Sequence, residues 1–197
     1  MPTMYHYTTA KAWREMNEGH DGWNKYDAVR QQWVDGGTVR GLWPSAPFIV
    51  AQRGLTLPRE AHQGAIFGLE EPEPRTWIEN TECPKSWPYL MGNIPRGEKT
   101  VVLLQIELGS DDLAHAVDRI HFERLRNITP RSDEERMMLR NHAFLQYWES
   151  RRAIGEYGGS HTLPEIVVWN PLPLAQVTKV GEMSSRELSA KWPWPRS

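Results

Sequence analysis

Apolar and polar positions along this chain alternate in short runs more often than they recur at helical spacing. Met4-Tyr5-His6-Tyr7-Thr8-Thr9 is aromatic and β-branched and reads as a strand. Thr8 or Thr9 can cap the next segment, Ala10 to Met16, whose Trp13 and Met16 share a face; this predicts a short helix stopped by Gly19. From Gly19 to Gly41 the chain is polar and dotted with tryptophan, and Tyr26 to Val34 is predicted to be a surface helix. Gly41 to Val50 is held extended by its prolines, which exclude helical geometry from the residue before each. Gly64 to Leu69 is a strand with glycines that permit close backbone approach. An acidic loop, Glu70-Glu71-Pro72-Glu73-Pro74, leads into one or two turns of helix over Arg75 to Asn80, and Lys85 to Arg96 is turn-rich.

The second half is more regular. Thr100 to Gly109 is the strongest strand, apolar on both faces at first and alternating later, as expected for a strand central in a sheet. Ala114 to Ile120 has weaker strand character. Ser132 and the acidic Asp133-Glu134-Glu135 open a helix to about Ser150, with Met137, Met138, Phe144, Leu145 and Trp148 as its apolar face. After a loop from Gly155 to His161 comes Leu163-Pro164-Glu165-Ile166-Val167-Val168-Trp169-Asn170-Pro171, a buried or half-buried strand closed by an Asn-Pro turn, and then an extended Ala175 to Val180. Short strands with few helices, lacking a regular strand-helix alternation, make an α+β domain. We assign 1–183 to a single domain and 184–197 to a Trp/Pro-rich tail, whose Trp192-Pro193-Trp194-Pro195 is polyproline-like and must dock on its own core or on a partner.

Composition narrows the function classes. At 197 residues, 39% hydrophobic and 24% charged, the chain is long enough to bury a core and too apolar to be disordered. A net charge of -2 gives no global footprint for nucleic acid or an anionic membrane. The single cysteine, Cys83, allows neither an internal disulfide nor a thiolate metal cluster, and no apolar run is long enough to span a bilayer. With no basic-then-apolar leader at Met1 to His6, the expectation is a soluble cytoplasmic protein with no membrane partner. Ten tryptophans suit either an aromatic core or a cleft that stacks a flat ring. There is no GxGxxG, GxxxxGK[ST], GxSxG or HExxH, so phosphate loops, the serine-hydrolase elbow and a zinc site have no foothold; we expect no metal.

Two places carry candidate chemistry. Glu165 puts a carboxylate at a strand mouth, where taken alone it reads as a solvated edge residue. Phe67, Gly68 and Trp77 can form one wall of a cleft for a flat ring, or else a packed corner of the core.

The order of Tyr5-His6-Tyr7-Thr8 on a first strand, Gly64-Ala65-Ile66-Phe67 on a middle strand before a helix, and Glu165 on a late strand resembles the ADP-ribosyltransferase superfamily, in the His-Tyr-Glu branch of diphtheria toxin and the poly(ADP-ribose) polymerases. Val102 to Gly109 is similar to that family's central strand, and Pro171 to Val177 to its return strand. The resemblance implies two small packed antiparallel sheets split around an NAD cleft. It implies an NAD-dependent mono-ADP-ribosyltransferase that cleaves the nicotinamide-ribose bond and passes ADP-ribose to a macromolecular acceptor, protein or nucleic acid, with NAD as substrate.

On that resemblance, His6 would donate a hydrogen bond to the nicotinamide ribose and, with backbone groups near Tyr7 and Thr8, hold the carboxamide. Phe67 would stack under the nicotinamide, with Tyr7 or Trp77 completing the aromatic clamp. Glu165 would bind the ribose 2′-hydroxyl and stabilise the cation that forms as nicotinamide leaves. Arg14, Arg75, Arg151 and Arg152 are candidates for the pyrophosphate. Phe67 stands where the family has tyrosine, with Phe48 and Tyr89 as other matches for that position. Tyr7 stands where many relatives have glycine, as in the His-Tyr-Thr openings of DNA-modifying toxins of the superfamily. Leu163 stands where the arginine-modifying branch has an acidic residue or glutamine. The alternatives are a catalytically inactive nucleotide- or protein-binding module of the same fold, and an RNA 2′-phosphotransferase-like enzyme, the latter disfavoured by the near-neutral charge.

Overall fold

A computed structural model of the chain describes residues 1–17, 66–73, 75–80, 82, 100–170 and 172–191. The expectations for Tyr26 to Val34, Gly41 to Val50, Lys85 to Arg96 and the Trp192 to Pro195 motif lie outside these residues.

The strands expected from alternation form. Strand β1 (Thr3–Thr9) runs into helix α1 (Ala10–Asn17); strand β2 (Ile66–Gly68) precedes the four-residue helix α2 (Arg75–Ile78). Strand β3 (Thr100–Glu107) is followed by β4 (Ala114–Asp118), helix α3 (Ile120–Glu123) and helix α4 (Asp133–Glu149). Strands β5 (Arg152–Ala153), β6 (Pro164–Val168) and β7 (Val177–Ser184) and helix α5 (Ser185–Lys191) complete the described chain. No helix among the described residues is long and apolar enough to cross a membrane.

The strands make two small antiparallel sheets, β1-β3-β7 and β2-β6-β4-β5, and the domain is mixed α+β. β3 is central, as its doubly apolar first half requires: Val101 to Leu104 are all buried. Five consecutive buried residues make β6 the second interior strand, paired on both sides by β2 and β4. The sheets touch edge to edge where Tyr5 and Leu69 exchange backbone bonds of 2.8 and 2.7 Å. Met4, Val102, Leu104 and Ile106 of the first sheet share one core with Ile66, Ile166 and Val168 of the second.

Three differences from the sequence reading stand out. The strand expected through Ile120 stops at Asp118, whose carboxylate takes the Ile120 N–H at 3.1 Å and starts α3. The Ser132 cap of α4 is present, its hydroxyl accepting from Glu135 N–H at 3.1 Å, but the buried stripe is Ala143, Phe144, Tyr147 and Trp148. Met137 and Met138 are 42% and 71% exposed. Met137 is seven residues from Phe144 and so near the same angular position, but about 10 Å further along the axis, beyond the turns that cover the sheet. Within the segment assigned to the tail, Ser185–Lys191 is helix and buries Leu188 against Val101 and Leu103.

Candidate functional site

His6 stands where the two sheets meet. Strand alternation puts it on the face of Met4 and Thr8, and it is 8% exposed. Phe67 and Leu69 direct their carbonyls to the same edge of β2; Leu69 bonds the Tyr5 backbone, whereas Phe67 O is 2.6 Å from His6 Nδ1. A carbonyl only accepts, so Nδ1 carries the proton. Burial pushes the imidazole down to about 4, against a smaller opposing effect of the Phe67 hydrogen bond, so the ring is neutral at pH 7. The close approach needs Gly68: a Cβ there would lie 2.9 Å from Tyr5 O and 3.0 Å from Met4 Sδ. Thr8 is buried on the same face, its hydroxyl without a hydrogen-bond partner among the described residues.

On the other side of β1, Tyr7 packs with Leu69, Trp77, Ile120 and Leu163. Its hydroxyl donates 2.7 Å to Pro72 O, and burial, reinforced by the Glu73 charge, holds the phenol above its ordinary range and protonated. The short helix α2 delivers Trp77, only 1% exposed, so that Nε1 donates 3.0 Å to Pro164 O, the carbonyl just before Glu165. Above it, Leu69, Glu70, Glu71, Thr76, Trp77 and Pro164 line a shallow open depression that encloses only about 10 Å³, room for one water. That is far below the roughly 300 Å³ at which small-molecule pockets begin, so it is a surface depression and not a preformed ligand pocket. Glu70 on its rim is held above the usual carboxylate range by partial burial and then by the Glu71 charge.

Glu165 is 2% exposed, which excludes the solvated-edge reading that its segment gives in isolation. A buried carboxylate needs donors, and the fold supplies two. Tyr147 of α4 donates its hydroxyl to Glu165 Oε2 at 2.7 Å, and Arg119 Nη1 lies 3.5 Å from the same oxygen. The Arg119 guanidinium lies 4.8 Å above the Phe122 ring, with Nε 3.5 Å from Oε1 of the buried Glu123. The backbone ahead of Glu165 is tied down as well. Asp118 accepts from Leu163 N–H at 3.0 Å and Thr162 N–H at 2.9 Å, while Arg119 N–H donates to Leu163 O at 2.9 Å.

The three strands that bear the predicted residues are therefore neighbours: β1 meets β2, and β2 pairs with β6 with Phe67 opposite Val167. Their side chains divide between faces. His6 lies with Met4 and Thr8, and Glu165 lies with Val167 and Trp169 on the face covered by α4. Phe67 gives His6 its carbonyl and packs its ring with the α4 cluster of Phe144 and Trp148. Of the candidate arginines, Arg14 and Arg75 are exposed, Arg151 lies 4.9 Å over the Trp148 ring and Arg152 donates to the Arg151 and Ser150 carbonyls. The arginine that does meet Glu165 is Arg119, absent from the sequence-based set, as was Tyr147. Arg119 carried one readable signal, its i,i+4 spacing to Glu123. Phe48 and Tyr89 lie outside the described residues. Comparison of the chain with protein-family models, with curated proteins and with solved structures finds no match.

Proposed function

We propose that this chain is an NAD-dependent mono-ADP-ribosyltransferase that breaks the nicotinamide-ribose bond and transfers ADP-ribose to a macromolecular acceptor. The observation that supports the reading is the adjacency of β1, β2 and β6, which brings His6, Phe67 and Glu165 from three distant parts of the sequence onto neighbouring strands where the two sheets meet. His6 is neutral with its Nδ1–H on the Phe67 carbonyl, so toward a ribose hydroxyl it is an acceptor through Nε2, not the donor expected from sequence. Glu165 supplies the negative charge that favours the oxocarbenium-like transition state over the ground state.

The test is nicotinamide release from labelled NAD by the purified chain in the presence of a lysate of acceptors, with label followed onto macromolecules. Glu165→Gln keeps the shape and removes the charge, and turnover is expected to be lost while the thermal unfolding midpoint shows a folded protein. Normal turnover in folded Glu165→Gln sinks the proposal. A second reading, an inactive nucleotide-binding module, is favoured by the burial of Glu165 and its engagement by Tyr147 and Arg119. Calorimetric NAD binding without nicotinamide release selects it.

A further inference from the structure

Glu165 is gripped by one of its two oxygens. The Tyr147 hydroxyl at 2.7 Å and Arg119 Nη1 at 3.5 Å both reach Oε2, and neither of these contacts is to Oε1. The gripping groups are themselves fixed. Tyr147 is buried in helix α4, its ring 5.0 Å from that of Phe122 and 6.4 Å from that of Phe144. Arg119 is held by its stack on Phe122, by Glu123 and, through its backbone, by Leu163 O. The strand that carries Glu165 is anchored through Asp118 to the same corner.

We propose that Tyr147 and Arg119 are positioning residues that lock the Glu165 carboxylate through Oε2 and reserve Oε1 for the 2′-hydroxyl of the nicotinamide ribose. The inference rests on the transferase reading above. In the reaction, the 2′-hydroxyl donates to Oε1 as the bond from the ribose anomeric carbon to the nicotinamide nitrogen breaks. That electron pair leaves with nicotinamide, which becomes neutral, and the cation on the sugar is stabilised by the fixed carboxylate. The acceptor nucleophile then bonds to the anomeric carbon and gives its proton to solvent. A carboxylate held in one orientation avoids the reorganisation that a mobile one would need at each turnover.

The test separates positioning from mere support of the fold. Tyr147→Phe deletes only the hydroxyl and keeps the ring between Phe122 and Phe144. Its kcat for nicotinamide release is expected to fall on the order of 10- to 100-fold, while KM for NAD stays within about twofold, since the lost interaction acts on the transition state. Arg119→Lys, which keeps the charge but not the planar fork, is expected to move kcat in the same direction and carries the readout should Tyr147→Phe not fold. An unchanged kcat in folded Tyr147→Phe or Arg119→Lys, beside an active wild type, overturns the positioning role and leaves the transferase reading standing. So does a rise in KM at constant kcat. A wild-type chain that releases no nicotinamide overturns the transferase reading, and the positioning role falls with it.

Discussion

His6 gives the most direct measurement of how the two sheets meet. An imidazole free in solution titrates near 6.5, and this one is pushed down to about 4. At about 1.4 kcal/mol for each pH unit, the displacement is worth about 3 kcal/mol of pH-dependent stability. The sign follows from which state binds the proton. Above pH 6.5 the ring is neutral in both native and unfolded chains and contributes no pH dependence. As the pH falls below 6.5 the unfolded chain takes up a proton that the native chain refuses, so stability is lost. The loss levels off near pH 4, where the native ring protonates too. By pH 5 about 2 kcal/mol should have gone through this one group. The assay is urea unfolding of wild type and His6→Gln from pH 7.5 to 5, with the difference between the two isolating His6 from His115 and His121, which burial also pushes down. The stability advantage of wild type over the variant is expected to shrink by about that amount across the window. Proton NMR of the imidazole supplies the independent check: a His6 ring that titrates near 6.5, or a wild-type advantage indifferent to pH, would refute the buried, carbonyl-bound placement.

Two further perturbations probe the same corner. Gly68→Ala would ordinarily stabilise by restricting the unfolded chain, but its Cβ would stand 2.9 Å from a backbone oxygen that cannot turn away, so a net loss of about 1–3 kcal/mol is expected; a thermal midpoint equal to or above that of wild type contradicts the close approach of β1 and β2. Asp118→Asn replaces one of two oxygens that together collect the Ile120, Leu163 and Thr162 N–H groups, setting an amide N–H against a backbone N–H. The expected cost is about 2–4 kcal/mol in urea unfolding, and a change within about 0.5 kcal/mol would show that the carboxylate is not what anchors the approach to β6.

Local pattern carried most of the elements because each is decided within a few residues. The β3 run is apolar on both faces, and only a strand covered on both sides tolerates that, so its central place in a sheet followed without knowing its partners. Ser132 and Glu135 likewise announce the start of α4 within one turn. How far along that helix the core extends is a different kind of fact. Met137 lies nearly in line with Phe144, and its exposure depends on where the sheet ends beneath it, which no spacing along the helix encodes. The union of β2 with β6, and of Trp77 with the Pro164 carbonyl 87 residues on, is non-local in the same way.

Glu165 marks where inference from sequence stops. Its neighbours Pro164, Ile166, Val167 and Val168 are all apolar and all buried, so a carboxylate at that position in the strand is enclosed with them. Enclosure obliges the fold to provide a donor and a cation. The enclosure itself is a finding of the structure, since the segment taken alone reads as carrying a solvated edge carboxylate. The identity of the partners does not follow, because chain proximity is a poor guide to them. Arg151 and Arg152 are nearer in sequence yet bond carbonyls of their own turn, whereas Arg119 reaches the carboxylate because β4 pairs with β6 and Val117 lies opposite Glu165. The residue two beyond that pairing is carried to the head of β6, where Asp118 and Leu163 fasten the two strands together. A strand register, not a motif, thus selects the cation, and a buried tyrosine on the covering helix completes the set.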